Sequence, residues 1–480
     1  MPLPLGFALS AAFIVGVAAA ASGLFLPLLV FMGAAFLGAW AWNGGRATVI
    51  LGAAVLLAVT LGYARVAEDD GFPPAPAELE TARSFSGRVL DVPRHFPDAS
   101  YARVKLSDPV DALVWTTFPP FPAVQQGDQV NISGSFRSHE DSHPRGFASQ
   151  RGTTGRLNAR TVQITGNQAS NAQRARSFLA GEIKSRMQQR IPEPAGAFAT
   201  GVLLGDDGAM TSATRHSFRV GGMTHMTAVS GVHVGIIAAA ILLLSRVGLV
   251  HRWVLLVGAI PLIWSFAYLV GMRPSVVRAS LMLTLLLVAQ LLGRPRDTLN
   301  AVGLAAALMI LFDPAIRYDI GFQLSVAATI GIAVSVLLIG SRSHWHLVWA
   351  VPVAAQVSTE PLILYNFGYY SLVSPLANIV AMPFLAITMA MSILTVLGSL
   401  VSDLLADALA LGTWVPSYAI VLIADMAASV PYLSGDVTSL SLRGVWIAYA
   451  VIVGVAAVFY VLTRPSEKEA DVDVSLLYRV

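Results

Sequence analysis

The sequence contains no cysteine and few charged residues. None of its 480 residues is cysteine, and only 12% are Asp, Glu, Lys or Arg. The lack of cysteine excludes disulfides, thiolate nucleophiles and cysteine-ligated zinc or iron–sulfur sites. The low charge, together with 55% hydrophobic residues, excludes an ordinary soluble domain and predicts a polytopic α-helical membrane protein with about 11–12 spanning or re-entrant helices.

The chain also has no Gly-x-x-x-x-Gly-Lys-Ser/Thr run, so it has no nucleotide-binding loop of that type. Two carboxylates, Asp206 and Asp207, are adjacent, but a helix cap or an ion pair with Arg215, Arg219 or Arg278 explains them better than a metal. We predict no metal site and no cofactor.

Apolar runs give the division into domains. We predict N-terminal transmembrane helices in 1–66, a small all-β domain in 67–168, a basic amphipathic helix with a re-entrant segment in 169–206, a transmembrane core in 207–464 and a cytoplasmic tail in 465–480. Within the core, spanning segments are predicted near Trp253–Val270, Ser275–Leu292, Ala301–Phe312, Gly321–Ile339, Leu347–Tyr365, Pro375–Leu400, Leu404–Val430 and Trp446–Leu462.

The β domain alternates apolar and polar residues over five short stretches. This pattern predicts a five-stranded barrel, either an OB-fold or an SH3-like barrel. The predicted strands are Phe85–Val92, Tyr101–Leu106, Ala112–Thr117, Gln129–Phe136 and Gly155–Ile164.

Basic and aromatic residues interleave in these strands. Residues 81–190 hold 15 Lys/Arg against 8 Asp/Glu, although the whole chain carries a net charge of only +3. Rings that stack on bases beside arginines that meet phosphates would bind single-stranded DNA, and the candidates are Arg88, Arg103, Lys105 and Arg137. The alternative is that the aromatic residues fill the barrel core; these are Phe85, Tyr101, Trp115, Phe118 and Phe136.

The helix predicted between Ala169 and Arg190 spaces apolar residues at helical intervals among arginines and Lys184. Such a helix lies on a membrane surface and attracts anionic lipid. The ten apolar residues that follow, Ala195–Leu204, are too few to span a bilayer and predict a re-entrant or interfacial segment.

The stretch from Gly221 to Gly235 places polar residues directly ahead of an apolar run. Ser230 is predicted to cap a helix from Gly231 to about Ser245, with His233 in its first turn. At about 1.5 Å per residue this helix covers about 22 Å, less than a bilayer. A helix that begins within the membrane directs its positive end at a passing phosphate. The alternative is an ordinary spanning helix from about Gly221.

Polar residues inside other apolar runs predict either a hydrophilic path or hydrogen bonds between helices. Arg278, about one turn inside its helix, is predicted to contact either DNA phosphates or a carboxylate of Asp206, Asp207 or Glu360. The full set of path candidates is His225, Ser230, His233, Arg273, Arg278, Gln323, Gln356, Glu360 and Asn378.

Several short motifs, in order, resemble the ComEC competence-protein family. They are Gly201–Asp207, Phe218–Gly235, Gly271–Met282, Asp313-Pro, Gly321–Ser325, Gln356–Pro361 and Ser374–Pro383. The resemblance implies a channel in the bacterial inner membrane that passes one strand of transforming DNA into the cytoplasm, with an external OB-like domain. It also implies a helicase-like motor and an external DNA receptor as partners. Because the chain has no His-x-His-x-Asp-His run, we expect no built-in nuclease. We expect that a separate protein acts as the nuclease.

Loop charges predict the orientation. Eight basic residues fall on one side if the segments alternate, and that side should be cytoplasmic: Arg46, Arg246, Arg252, Arg294, Arg296, Arg342, Arg464 and Lys468. The β domain then lies outside, although Arg273, Arg317 and Arg443 oppose this assignment.

Two other functions fit parts of the sequence. A small-molecule or lipid transporter would show inverted repeats, which we do not find. An intramembrane hydrolase would use Ser230 with His233 or His225 as its base, but lacks a Gly-x-Ser-x-Gly elbow.

Overall fold

The computed structural model describes residues 75–96, 98–138, 153–227, 229–246, 252–292, 298–313, 316, 319–339 and 344–463. The predictions for 1–66, for the tail and for most of the basic loop residues lie outside these ranges.

A small β domain comes first. It consists of α1 (Ala77–Thr81), β1 (Ser84–Val89), β2 (Arg94–His95), β3 (Ser100–Asp108), β4 (Ala112–Phe118), β5 (Asp128–Ser138) and β6 (Gly155–Asn167). All five predicted strands are confirmed, and the two-residue β2 is an addition.

The five long strands close into a barrel. Their order is β1-β5-β6-β4-β3, and β3 pairs with β1 to complete the circle. One pair, β4 with β6, is parallel, and the others are antiparallel. A closed five-stranded barrel whose third and fifth long strands run parallel is an OB-like fold. Strand pairing therefore decides between the OB-fold and the SH3-like barrel, which the number of strands could not.

The rest of the described chain is helical. The first helices in chain order after the barrel are α2 (Asn171–Arg190), α3 (Ala195–Leu204), α4 (Ser212–Val220), α5 (Thr224–Thr227), α6 (Gly231–Arg246) and α7 (Arg252–Leu269). The remaining elements are α8 (Pro274–Leu291), α9 (Thr298–Phe312), α10 (Ile320–Ile339), α11 (His344–Phe367), β7 (Tyr369–Ser371), α12 (Ser374–Gly398), α13 (Asp403–Ser429), β8 (Ser434–Asp436) and α14 (Leu442–Thr463). Each predicted core segment has its helix.

Three of the described helices are long and apolar enough to cross a membrane. They are α8, α12 and α13. The hairpin of α12 and α13 is held by small and hydroxyl side chains, as in many membrane helix pairs. Thr395 and Thr413 lie 2.9 Å apart between their hydroxyl oxygens, and both are buried.

Helix α2 is in the predicted place but is not amphipathic in the predicted way. It begins with a capping box between Ser170 and Gln173. Of its apolar residues, Ile183 and Met187 are buried against the core, whereas Phe178 and Leu179 are exposed. A single apolar face is therefore absent. Its last turns are held instead by Ser399, in the loop after α12, and by Asp403, the first residue of α13.

Helix α3 is the predicted short apolar piece. All ten of its residues are buried, and it ends at Gly205, whose φ of 71° is left-handed. Glycine adopts this conformation without strain, so the chain can turn sharply there. The turn leads into the segment that contacts the OB-like domain.

Candidate nucleic-acid interface

The aromatic residues of the barrel divide between its two faces. Phe85, Phe118 and Phe136 point inward and are buried in the barrel core. Tyr101 and Trp115 lie at alternate positions, on the outer face, and are half-buried. The core alternative is therefore right for three rings and wrong for the other two.

The outer face carries a row of basic residues around Trp115. Strand pairing places Arg137 of β5 opposite Arg156 of β6, Arg156 beside Trp115 of β4, and Trp115 opposite Arg103 of β3. Residues that are directly opposite on neighbouring strands present their side chains to the same face, about 5 Å apart. Three guanidinium groups and an indole thus line four consecutive strands. We call these four residues the basic row.

The four predicted DNA-binding residues of this domain differ in their partners. Arg103 forms an ion pair with Asp91, with 2.7 Å between Nε and Oδ2. The hydrogen bond to this carboxylate raises the pKa of Arg103. Arg88 donates to Gln168 O at 3.0 Å, and Lys105 lies 3.4 Å from Asp111. Arg137 is exposed. Arg137 is therefore the predicted candidate with the freest side chain.

The OB-like domain contacts the helical core through β2 and the residue after it. The carbonyl oxygen of His95 packs so closely on Gly208 that a Cβ there would lie 1.6 Å away. The guanidinium of Arg215, in α4, lies 5.3 Å from the centroid of the Phe96 ring. Phe96 in turn packs edge-on against Tyr101 of the outer face, with centroids 5.7 Å apart. The outer face is therefore continuous with this domain junction.

Asp206 and Asp207 lie at the same junction. Asp206 forms an ion pair of 2.6 Å with Lys184 of α2 and accepts a hydrogen bond from Gly208 N. Asp206 thus forms an ion pair, but its partner is none of the three arginines that we expected. Burial raises the pKa of Asp207, and the charge of Arg273 opposes this effect.

The polar stretch of 221–235 is built on a left-handed glycine. Gly222 has a φ of 68°, and a Cβ there would lie 2.4 Å from Cβ of Ser374. The Ser374 hydroxyl is 3.3 Å from Gly222 O, and the Ser371 hydroxyl donates to Val220 O at 2.8 Å. The turn is thereby attached to the start of α12. His225, two residues into the next helix, is exposed.

Three predicted path residues come together at Ser374. Its hydroxyl lies 3.0 Å from Gln356 Oε1, and Asn378 Nδ2 donates to it at 3.0 Å. Gln356 Nε2 donates in turn to Glu360. The sequence left open whether these residues line a path or connect helices. In the structure they connect α11 and α12 to the Gly222 turn.

Ser230 and His233 form a cap and not a nucleophile–base pair. Ser230 N donates to His233 Nδ1 at 3.1 Å, and the Ser230 hydroxyl lies 3.3 Å from the same nitrogen. The predicted helix starts at Gly231 as expected, but the histidine side chain caps it through the serine amide. Because the backbone N–H occupies the lone pair of Nδ1, this nitrogen does not act as a base toward Ser230.

Ser230→Ala therefore provides a test of the hydrolase alternative. The backbone amide of residue 230 remains, so we expect DNA uptake to stay within about twofold and the stability loss to be below about 1 kcal/mol. The purified wild-type protein should not react with a fluorophosphonate serine probe. Stoichiometric labelling that disappears in Ser230→Ala would contradict this assignment.

Arg278 is buried, with 1% of its surface exposed. Its Nη1 lies 3.4 Å from the carbonyl oxygens of both Gly321 and Phe322 at the start of α10. The predicted ion pair with Asp206, Asp207 or Glu360 is not formed, and the side chain is not open to a DNA strand in this structure. Gln323, the residue after Phe322 in α10, is half-buried. Arg278 thus joins α8 to α10, because its guanidinium donates to two backbone carbonyl oxygens that each have a second lone pair to accept it.

Comparison with known protein families shows to which family the chain is related. Residues 202–465 match the model of the family described as competence protein. The match covers more than half of the chain and runs from the end of α3 to the end of α14. The chain belongs to the competence protein family.

One relative of this competence-family protein is ComE operon protein 3 of Bacillus subtilis (strain 168). The two are 27% identical over 207 residues, which is 43% of this chain and 27% of the relative. The aligned part thus spans about a quarter of the relative's length. No solved structure matches the chain.

Sequence reasoning missed several residues of the interface. Arg156, Arg94, Gly208 and Ser374 each depend on contacts between segments far apart in the chain. The sequence did carry a signal for Arg156. It occupies an outward-facing position in the alternation of apolar and polar residues along β6. For the other residues of this competence-family protein, no local pattern marks the contact.

Proposed function

We propose that this protein conducts a single strand of DNA through a membrane, and that the basic row of the OB-like domain receives the strand. Membership of the competence protein family supports a role in DNA uptake. The basic row is the single observation that carries the proposal, because it presents an indole for base stacking among guanidinium groups for phosphates. In OB-folds the face of the second and third strands is the one that binds oligonucleotides, and Trp115 and Arg103 lie there.

The proposed location is the inner (cytoplasmic) membrane of a bacterium, with several membrane passes and the OB-like domain on the periplasmic or extracellular side. The three long apolar helices and the predicted loop charges support it. Exposed Phe178 and Leu179 beside Arg174 are the proposed contact of α2 with anionic lipid.

The proposed partners follow from the same reading. An external receptor delivers DNA, a separate nuclease removes one strand, and a helicase-like motor draws the other strand inward. The described residues offer the strand cationic and aromatic contacts but no group of three or more metal-binding side chains. We propose that these partners carry out the pulling and cutting steps.

Binding of a fluorescent single-stranded oligonucleotide to the purified full chain tests the proposal. Trp115→Ala should weaken binding about 5- to 150-fold, since stacking contributes about 1–3 kcal/mol per base. Arg156→Gln should weaken binding and reduce the slope of log affinity against log salt by about 0.7. Trp115→Ala should leave that slope unchanged.

Arg160→Gln is the matched control, because Arg160 is exposed on the same strand as Arg156 but lies outside the basic row. It should change the affinity by less than about twofold. Equal effects of the Arg156 and Arg160 variants, or a wild-type protein that does not bind the oligonucleotide, would contradict the proposal.

A further inference from the structure

Two arginines from different domains lie where the OB-like domain contacts the core. Arg94 lies in β2, opposite Tyr101 of the outer face, and is exposed. Arg273 is the residue that precedes α8. Its guanidinium lies against Gly205, where a Cβ would be 2.9 Å from Nη1. A glycine at the end of α3 thus leaves space for this side chain.

The two charges are not neutralised by close ion pairs. Within the described residues, Asp206 pairs with Lys184, and neither Arg94 nor Arg273 has a carboxylate oxygen within 4.0 Å. Burial, and after it repulsion from Arg94, lowers the pKa of Arg273 to about 10, against the attraction of Asp207 and Asp206. Both side chains belong to elements that pack on one turn, because Arg273 lies against Gly205 and His95, the neighbour of Arg94, lies against Gly208. Like charges repel each other, and an anion placed between them would remove that repulsion.

We propose that Arg94 and Arg273 together hold one phosphate of the DNA strand as it passes from the OB-like domain to the core. This inference rests on the proposed function. The site follows directly from the basic row, because Arg94 neighbours Tyr101 and Tyr101 lies on the same strand as Arg103. The positive end of α8, next to Arg273, adds to the attraction for an anion.

Asp207 gives the site a second property. Its carboxylate lies within electrostatic reach of both arginines. A negative charge beside the phosphate keeps binding weak, and weak binding lets a transported ion leave as readily as it enters. Asp207 is thus the residue that favours release of the strand.

A double-mutant cycle on the purified full chain tests the shared phosphate, with a fluorescent single-stranded oligonucleotide as the probe. Arg94→Gln and Arg273→Gln should each weaken binding roughly tenfold. The double variant should lose much less than the product of these factors, because either change alone disrupts the same contact. Arg94→Gln combined with Arg160→Gln is the control pair, and its effects should multiply.

Asp207→Asn should have the opposite effect: binding tightens several-fold, and release of the oligonucleotide slows. Multiplicative losses for Arg94 and Arg273, or binding that neither change affects, would overturn the shared site. If Trp115→Ala still weakened binding as predicted in that case, the proposed function would stand without this site. If the wild-type chain bound no strand, the proposed function itself would fail.

Proximity of the two positions has an independent test. The chain contains no cysteine, so Arg94→Cys with Arg273→Cys introduces a unique thiol pair. A short bifunctional thiol reagent should cross-link the pair in the folded protein and should not cross-link Arg160→Cys with Arg273→Cys. Failure to cross-link in a protein with unchanged thermal unfolding would overturn the juxtaposition on which the site depends.

Discussion

Gly222→Ala is expected to abolish DNA uptake and to destabilise the core by roughly 2–4 kcal/mol. A residue with a φ of 68° is strained unless it is glycine, and the new Cβ would lie 2.4 Å from Cβ of Ser374. The neighbour is the first residue of a long helix, so it cannot move without moving α12. The hydrogen bonds that connect Gly222, Ser374 and Gln356 would be lost together.

Gly235→Ala is the matched control for this change. Gly235 is helical and has no atom within 4 Å of an added Cβ, so alanine should be neutral or stabilising there. Thermal unfolding and protein level would be measured beside uptake. A Gly222→Ala protein with normal stability and normal uptake would show that the turn does not hold α12 in place.

Gly208→Ala is expected to separate the OB-like domain from the core. The added Cβ would lie 1.6 Å from the His95 carbonyl oxygen and 2.8 Å from its carbon. These are backbone atoms, so a rotamer change cannot relieve the clash, and β2 must move by at least about 1.5 Å. The stacking of Arg215 on Phe96 would then be lost, and with it the continuity between the basic row and Arg273.

Hydrogen exchange would measure this separation directly. Amides of Arg94–Phe96 and of the loop around Gly208 should lose protection, whereas amides of the α12–α13 hairpin should not. Uptake should fall at least tenfold, while the OB-like domain still binds the oligonucleotide. Gly181→Ala, at a site with no atom within 4 Å of an added Cβ, is the control. Unchanged protection at β2 would show that the contact is not what holds the domains together.

The sequence alone determined the helices, the strands and the family resemblance. Every predicted core segment is helical, and Ala195–Leu204 matches its helix at both ends. These features are local, because an apolar run or an alternating pattern depends only on residues that follow one another in the chain. The residues for the N-terminal helices, 1–66, lie outside the described part of the chain, so that prediction stands as made.

Local patterns did not determine which side chains face each other. The same strand pattern accommodated Trp115 in the core or on the surface, and its place depended on which strands pair and in which register. Packing likewise decided the partners of Arg278, since an arginine inside an apolar run can donate either to a carboxylate or to backbone carbonyl oxygens.

The basic row, the Gly208 contact and the placement of Arg94 and Arg273 at one domain junction exist only in the tertiary structure. Each brings together residues that are far apart in the chain. The local sequence of one strand or domain does not indicate which other segment it will contact. The sequence by itself determined which elements form and which family they belong to, because hydrophobic spacing acts over a few residues. Tertiary packing decided the candidate path for DNA, because charge and shape complementarity between distant segments arises only when those segments are in contact.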